Sequence, residues 1–314
     1  MTIRIYWEID SAAEPRRAEA ALRIAWSEKL RDPRTSRNRR RHYYEQIARA
    51  AAGTTFDGLF IRYRPESDDS QILAASLARL VPGLALIPEF PASIGSAVYA
   101  AKEAVSFQRA TQGRLSWAIA PDRASEERAA DGDSVADADL LARAEEFLAV
   151  ARGVHGQTGF THHGRFFAVE NGGFPPPLNR VPFPPVILQG KDEDHLALSA
   201  RQADIHLFNA TSIAALRVQA DRLDALAVVE GRSVAHAVRL AITARETPEE
   251  APESSATTLT GSYDEVADAL AAWVEAGVTH LFLAGEPSLE EAYRVGAFVL
   301  PKLRARIGAA QAAA

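Results

Sequence analysis

Short apolar runs alternate along this chain with longer segments in which apolar residues recur at helical spacing. The clearest unit lies near the end, where Ser262 and Glu265 have capping-box spacing before an apolar helix that stops at Gly277. The pattern predicts eight strands: Ile3–Ile9, Asp57–Tyr63, Leu84–Ile87, Arg114–Ala120, Val186–Leu188, Ile205–Phe208, Ala237–Ala244 and Val278–Ala284. A helix is predicted after most of these strands, so that strand and helix alternate eight times. The second strand is followed by a helix over about Asp69–Leu80, and the fourth by an acidic, alanine-rich loop over 121–135.

This alternation predicts the α/β class. Eight strand–helix units over about 250 residues are typical of a (β/α)₈ TIM barrel, with a doubly wound open sheet as the runner-up. A small hairpin insertion is predicted around 159–169, and the polar, proline-punctuated stretch 247–261 is expected to be a surface loop. Neither segment restarts the alternation, so we expect residues 1–314 to form a single domain.

Composition narrows the possible functions. The net charge of −6 gives no field for nucleic acid, and the absence of cysteine excludes disulfides and thiolate chemistry. No apolar run approaches a membrane span, and the N-terminus enters a strand pattern directly, so a cytoplasmic protein with no membrane partner is expected. The basic run Arg37–Arg41 predicts a solvated loop face, with anion binding as the alternative.

A further set of segments is distinctive in sequence and in order along the chain: Tyr44–Ala50, Phe56–Phe60, Asp68–Leu77, Gln108–Arg114, Val181–Pro185, Arg239–Thr247 and Leu289–Gly296. Together they resemble the bacterial-luciferase-like flavin monooxygenases, and the alkanesulfonate monooxygenase branch in particular. The resemblance implies a (β/α)₈ barrel that binds reduced FMN, supplied by a separate flavin reductase, and that oxidises a small organic substrate. It also implies a homo-oligomer.

The phosphate end of such a site would fall after the fifth barrel strand. The resemblance implies that Gln189, Gly190 and Lys191 hold the FMN phosphate, although the family pattern there is Gly-Gly-Ser-Ser. Gly190 allows close backbone approach, and Lys191 supplies a point charge unless it is simply exposed at a loop tip. No histidine pattern predicts a metal site.

The reacting end departs further from the family. Ser67 occupies the position of a cysteine near the flavin, where its hydroxyl could assist the flavin oxygen or cap a helix from about Asp69. Arg239 matches a site arginine that binds substrate or peroxide, with an ion pair to Glu246 or Glu286 as the structural alternative.

Glu286 replaces the family's tyrosine and is expected to select against a sulfonate. The 247–261 segment is too short for the family's lid.

Two strand residues complete the candidate set. His206 is an acid or base if it faces the barrel interior and a packed histidine if it does not. Trp7 could wall a flavin pocket, although core packing is the default for a strand aromatic. The sequence therefore predicts an FMN-dependent monooxygenase-like oxidoreductase with a changed substrate. The alternative is a non-catalytic homologue acting as a partner subunit or binding protein.

Overall fold

A computed structural model of the chain describes residues 2–11, 40–121, 123–252 and 258–313. Within it the chain forms two compact units. Unit 1 comprises residues 1–88, 210–217 and 236–314, and unit 2 comprises residues 89–209 and 218–235. The basic run that begins at Arg37 lies outside the residues whose side chains are described, so its predicted role stays a prediction.

Unit 1 holds both ends of the chain. Its strands are β1 (Arg4–Ile9), β2 (Gly58–Ile61), the first part of β3 (Ala85–Phe90), most of β9 (Ala235–Arg245), β10 (Thr258–Ser262) and β11 (His280–Ala284). Its helices are α1 (Arg40–Ala52), α2 (Ser70–Leu77), α8 (Tyr263–Glu275), α9 (Ser288–Arg294) and α10 (Leu300–Ala313), with a π-helical turn at Val295–Val299. A 3₁₀ turn covers Pro248–Glu250.

Unit 2 holds the middle of the chain. Besides the end of β3, its strands are β4 (Trp117–Ile119), β5 (Phe160–His163), β6 (Ala168–Gly172), β7 (Val186–Gln189) and β8 (Ile205–Phe208). Its helices are α3 (Ala97–Thr111), α4 (Ser125–Ala130), α5 (Leu140–Gly156), α6 (Glu193–Gln202) and most of α7 (Ile213–Val229). The antiparallel β5 and β6 form the predicted hairpin, which extends slightly beyond 169.

The main sheet has the strand order β10-β9-β11-β1-β2-β3-β4-β7-β8, and β8 also pairs with β9. Within this sheet, the strand pairs whose residue register is defined are all parallel, and parallel neighbours need crossover connections. The eight strands other than β10 form a closed parallel sheet, and the predicted α/β (β/α)₈ barrel is confirmed.

Strand alternation divides the side chains of β1 between two faces. Tyr6 and Glu8 share one face, where the ring of Tyr6 lies 4.8 Å from that of Phe282. Gly58 is required here, because a Cβ at that position would lie 2.6 Å from the Ala85 carbonyl oxygen and 3.0 Å from the Tyr6 ring. The absence of a side chain at Gly58 thus lets β2 lie close to both β3 and the Tyr6 ring on this face.

The closing unit has the predicted cap. The Ser262 hydroxyl accepts from the Glu265 N–H at 3.2 Å, and the Glu265 carboxylate accepts from the Ser262 N–H at 2.8 Å. Gly277, just after α8, has a φ of +101°, the left-handed conformation that ends a helix. Within the described part of the chain, no helix is both long and apolar enough to cross a membrane.

Four segments differ from expectation. The end of the predicted 247–261 loop is β10, which pairs in parallel with the second half of β9. The stretch 121–135, expected to be a loop, contains α4, whose alanine and glutamate residues favour a helix. The predicted helix over Asp69–Leu80 ends at Leu77, and the predicted strand Arg114–Ala120 is only Trp117–Ile119.

Candidate active site

A buried ion pair links two strands of unit 1. Arg239 in β9 donates from Nε to Glu8 Oε2 at 2.5 Å and from Nη2 to Oε1 at 2.7 Å. Both side chains project from the face that carries Tyr6 and Phe282, because Arg239 is in register with Phe282 and Phe282 with Tyr6. The partner is therefore Glu8, and neither of the predicted partners, Glu246 and Glu286.

The two members of this pair differ in exposure. The Glu8 side chain is 3% exposed, whereas that of Arg239 is 38% exposed. The hydrogen bonds that Arg239 donates to the Glu8 carboxylate raise the pKa of Arg239 above its usual value, against the opposing effect of burial, so the guanidinium stays charged. Arg239 Nη1 has no hydrogen-bond partner among the described residues, and one edge of the fork is left open for a ligand.

Further charges lie beside the pair at the ends of β1 and β2. Arg62 Nη1 lies 3.9 Å from Glu8 Oε1 and its guanidinium covers the Phe60 ring at 5.7 Å. Arg64 makes a two-point ion pair with Asp10, with Nε 3.0 Å from Oδ1. We call Glu8, Asp10, Arg62, Arg64 and Arg239 the strand-end cluster. It holds three cations and two carboxylates, so its formal charge is +1.

Ser67 follows β2 in the same unit. The N-cap of α2 is Asp69, whose carboxylate accepts from the Ile72 N–H at 2.8 Å, so Ser67 does not cap this helix. Its hydroxyl oxygen is buried without a hydrogen-bond partner among the described residues. An orphaned buried hydroxyl costs free energy and is consistent with a ligand contact.

The other two candidates of unit 1 are placed differently. Glu286 is exposed between β11 and α9, with no ion-pair partner among the described residues. Trp7 is fully buried, with its ring 5.4 Å from Phe56 and its Nε1–H donating to the Ser288 hydroxyl at 3.1 Å. Because Trp7 lies on the opposite face of β1 from Glu8, the structure places it in core packing and away from the strand-end cluster.

In unit 2, the amide of Gln189 is already engaged. Gln189 Nε2 donates to Glu89 Oε1 at 2.9 Å and to the Ile119 carbonyl at 3.0 Å. Glu89 is 1% exposed, so the amide satisfies a buried carboxylate. This arrangement ties β7 to β3 and β4, and it leaves Gln189 Nε2 without a donor to spare for a phosphate.

His206 is a packed residue. It is fully buried, with Nδ1 2.8 Å from the Ser199 hydroxyl on α6 and Nε2 3.1 Å from the Gly190 carbonyl oxygen. Both ring nitrogens are occupied, so His206 joins α6 to the turn after β7 and has no nitrogen left for proton exchange with a substrate.

The turn after β7 requires glycine for two reasons. Gly190 has a φ of +141°, and a Cβ there would lie 2.3 Å from the His195 ring. Lys191 is exposed beside it, with no ion-pair partner among the described residues. A cleft of about 30 Å³, room for little more than a water molecule, lies next to the turn and is lined in part by Gln189, His195 and Pro121.

The N-terminus of α6 is occupied by the chain's own carboxylate. Asp192 Oδ1 accepts from the His195 N–H at 3.0 Å and lies 2.5 Å from His195 Nδ1. The hydrogen bond from the His195 ring is the main reason that the pKa of Asp192 lies below its usual value. Glu193 and Asp194 occupy the first turn, and Glu193 pairs with Arg222.

This geometry does not fit the phosphate of FMN. A phosphate binds at a helix N-terminus through free backbone N–H groups and nearby positive charge. Here Asp192 holds the capping position, two more carboxylates follow, and Lys191 is the only unpaired cation among residues 190–194. The charges at this turn therefore disfavour the predicted anchor of Gln189, Gly190 and Lys191, because a dianion would meet more negative than positive charge.

Sequence reasoning missed Glu8 and Asp192. A lone acidic residue in an otherwise apolar strand, Ile3–Ile9, was the available signal for Glu8. For Asp192, the signal was an aspartate three residues before His195 at the start of a helix. No cluster of three or more potential metal ligands occurs among residues 2–11, 40–121, 123–252 and 258–313.

The strand order and the charged side chains at strand ends define an α/β barrel of the type that carries enzyme sites at one end of its sheet. Residues 27–259 match the luciferase-like monooxygenase family, and the chain belongs to that family.

Solved structures that share the fold include a riboflavin lyase with modified FMN and riboflavin, at 16% identity and a TM-score of 0.79, covering 98% of this chain and 92% of that one. An EDTA monooxygenase from Chelativorans sp. BNC1 matches at 17% identity and a TM-score of 0.78, covering 98% and 94%. A long-chain alkane monooxygenase matches at 16% identity and a TM-score of 0.79, covering 98% and 92%.

Proposed function

We propose that this chain is a flavin-dependent oxidoreductase of the two-component type that acts on a small organic substrate. Membership of the luciferase-like monooxygenase family supports a flavin and a separate reductase that supplies its reduced form, and we propose that both proteins act in the cytosol. The observation that carries the proposal is the Glu8–Arg239 pair, which holds a charged guanidinium in one orientation and leaves an edge of it open.

In this proposal Arg239 binds an oxygen atom of the substrate. Its open Nη1 edge supplies two N–H donors, and Glu8 fixes their direction, so little side-chain entropy is lost on binding. The carboxylate also offsets the positive charge, which favours a neutral substrate with a carbonyl or hydroxyl oxygen over a sulfonate. The exposed carboxylate of Glu286 acts in the same direction by repelling anions. Ser67 assists the flavin oxygen with its hydroxyl, which has no hydrogen-bond partner in the part of the chain that the structure describes.

Flavin binding is the first test. Purified protein is titrated with riboflavin and with FMN, oxidised and anaerobically reduced, and binding is followed by flavin and tryptophan fluorescence. The proposal expects saturable binding in the micromolar range. Failure of every flavin form to bind at tens of micromolar would support the alternative of a non-catalytic partner subunit or binding protein.

Substrate oxidation is the second test. Arg239→Lys keeps a positive charge but loses the two-point contact with Glu8, and we expect turnover of a substrate found by screening to fall about a hundredfold. Arg201→Lys is the matched control, because Arg201 makes the same two-point contact with Glu145, at 2.7 and 2.8 Å, on an exposed surface. Equal turnover in the two variants would remove Arg239 from the reaction.

The self-association and the substrate class remain parts of this proposal. A homo-oligomer is expected from the family resemblance, and size-exclusion chromatography with light scattering measures it directly. A substrate panel should include sulfonates beside neutral ketones, aldehydes and alkanes, because preference for a sulfonate would contradict the role given to Glu286.

A further inference from the structure

We infer that this chain does not bind the 5′-phosphate of a flavin. Riboflavin, which lacks that phosphate, therefore binds at least as tightly as FMN. The inference rests on the proposed function, and it concerns the turn after β7 and the start of α6. Three features of that turn carry it: an occupied helix cap, an excess of carboxylates, and a glycine covered by a histidine ring.

The occupied cap removes the backbone donors that a phosphate would use. Asp192 accepts from the His195 N–H, and its side chain pairs with the His195 ring, so the carboxylate is held at two points. A phosphate could reach these N–H groups only by displacing Asp192 from both. The helix dipole, which otherwise attracts an anion, is already offset by this carboxylate.

The charges beside the cap oppose a second anion. Residues 191–194 carry one lysine and three carboxylates, for a formal charge of −2, and Arg222 pairs with Glu193 to bring the local total to −1. FMN adds about two negative charges through its phosphate, whereas riboflavin adds none. Repulsion therefore acts on FMN alone.

Gly190 offers no compensating approach. The space left by its missing Cβ is filled by the His195 ring, since a Cβ there would lie 2.3 Å from that ring. The carbonyl oxygen of Gly190 accepts a hydrogen bond from His206 Nε2 at 3.1 Å. The open backbone that a phosphate would need at Gly190 is thus already occupied by the packing of α6 against β7.

The test compares the two flavins on the intact chain. Dissociation constants for riboflavin and FMN are measured by fluorescence titration at low and high salt, for the native chain and for the triple variant Asp192→Asn/Glu193→Gln/Asp194→Asn. Asparagine keeps the helix cap, so the variant removes charge without removing the hydrogen bond. Glu126→Gln/Glu127→Gln, on the exposed start of α4, removes two carboxylates away from the turn and is the control for a general effect of net charge.

We expect the native chain to bind riboflavin at least as tightly as FMN. The triple variant should bind FMN about tenfold more tightly and riboflavin unchanged, while the α4 control changes neither. Tenfold preference of the native chain for FMN would overturn the inference and leave the proposed function standing. An equal gain for both flavins in the triple variant would also overturn it. Absence of binding by both flavins would overturn the proposed function itself.

Circular dichroism and thermal unfolding of the triple variant show whether α6 remains folded. A second variant, Lys191→Ala, keeps the test decisive if the triple variant fails to fold. The inference expects Lys191→Ala to change riboflavin and FMN affinity by the same small factor. A selective loss of FMN affinity of fivefold or more would mean that Lys191 anchors a phosphate, and the inference would be wrong.

Discussion

Replacing Arg239 by methionine should destabilise unit 1 more than neutralising its partner. Glu8 is 3% exposed and loses both hydrogen bonds in Arg239→Met, while Arg62 remains 3.9 Å away. Removing one partner of a buried pair costs about 3–5 kcal/mol, and the 38% exposure of Arg239 reduces this to about 2–3 kcal/mol in the free energy of unfolding.

Glu8→Gln should cost less, about 1 kcal/mol, because the exposed edge of Arg239 can be hydrated when its partner is neutral. The double variant Glu8→Gln/Arg239→Met should recover at least half of the loss seen in Arg239→Met, since no unpaired charge is left buried. The assay is urea unfolding at pH 7.5, followed by tryptophan fluorescence and circular dichroism.

Arg201→Met is the matched control for this series. Its partner Glu145 is 33% exposed, so the surface pair should contribute less than about 1 kcal/mol. If Arg239→Met and Arg201→Met lose the same free energy of unfolding, Glu8 is hydrated in solution and the argument from burial is refuted. The same result would weaken the proposed role of Arg239, because its orientation depends on a buried partner.

Three further outcomes follow from other parts of the fold. Burial lowers the pKa of His280 from 6.5 to about 4, so on acidification the unfolded chain is protonated at a higher pH than the folded one. The free energy of unfolding should therefore fall by up to about 3 kcal/mol from pH 6.5 to pH 4. His280→Asn should reduce this pH dependence, measured by urea unfolding. Hydrogen bonding from Arg143 lowers the pKa of Asp133, so the ion pair stabilises the fold fully above the unfolded-state pKa of about 3.9, and this stabilisation is lost as the pH falls through the lower folded-state pKa. Asp133→Asn should therefore destabilise at pH 7, and its effect should shrink as the pH falls below about 3.9 in the same urea assay. Ser262→Ala removes the cap of α8 and should cost about 1 kcal/mol, a fall of about 2 °C in Tm by calorimetry, with Ser106→Ala as control.

The barrel could be predicted because its signals are local. Apolar runs such as Ile205–Phe208 and caps such as Ser262 with Glu265 depend only on residues close together in sequence, and the structure agrees with both predictions. The strand β10 could not be predicted in the same way, because its apolar content is low and it forms only by pairing with β9.

The site was harder to predict because its contacts are distant in sequence. Glu8 and Arg239 are separated by 231 positions, and no local pattern identifies one as the partner of the other. Resemblance pointed to Arg239 as a site residue, and the structural alternative paired it with Glu246 or Glu286, neither of which is its partner. At the turn after β7, resemblance predicted a phosphate anchor, and the charge of Asp192, Glu193 and Asp194 was the local signal that should have opposed it.

The pairing of β10 with β9 has a consequence for how this chain could be re-engineered. Arg239 lies on the half of β9 that pairs with β11, while β10 pairs with residues 241–245 beyond it. The backbone under Arg239 is therefore held independently of the length of the segment that leaves β9 and returns as β10. A longer segment inserted before Thr258 would add only a small closure entropy, since that cost grows slowly with loop length. This connection is a natural insertion point for a covering segment designed for a chosen substrate.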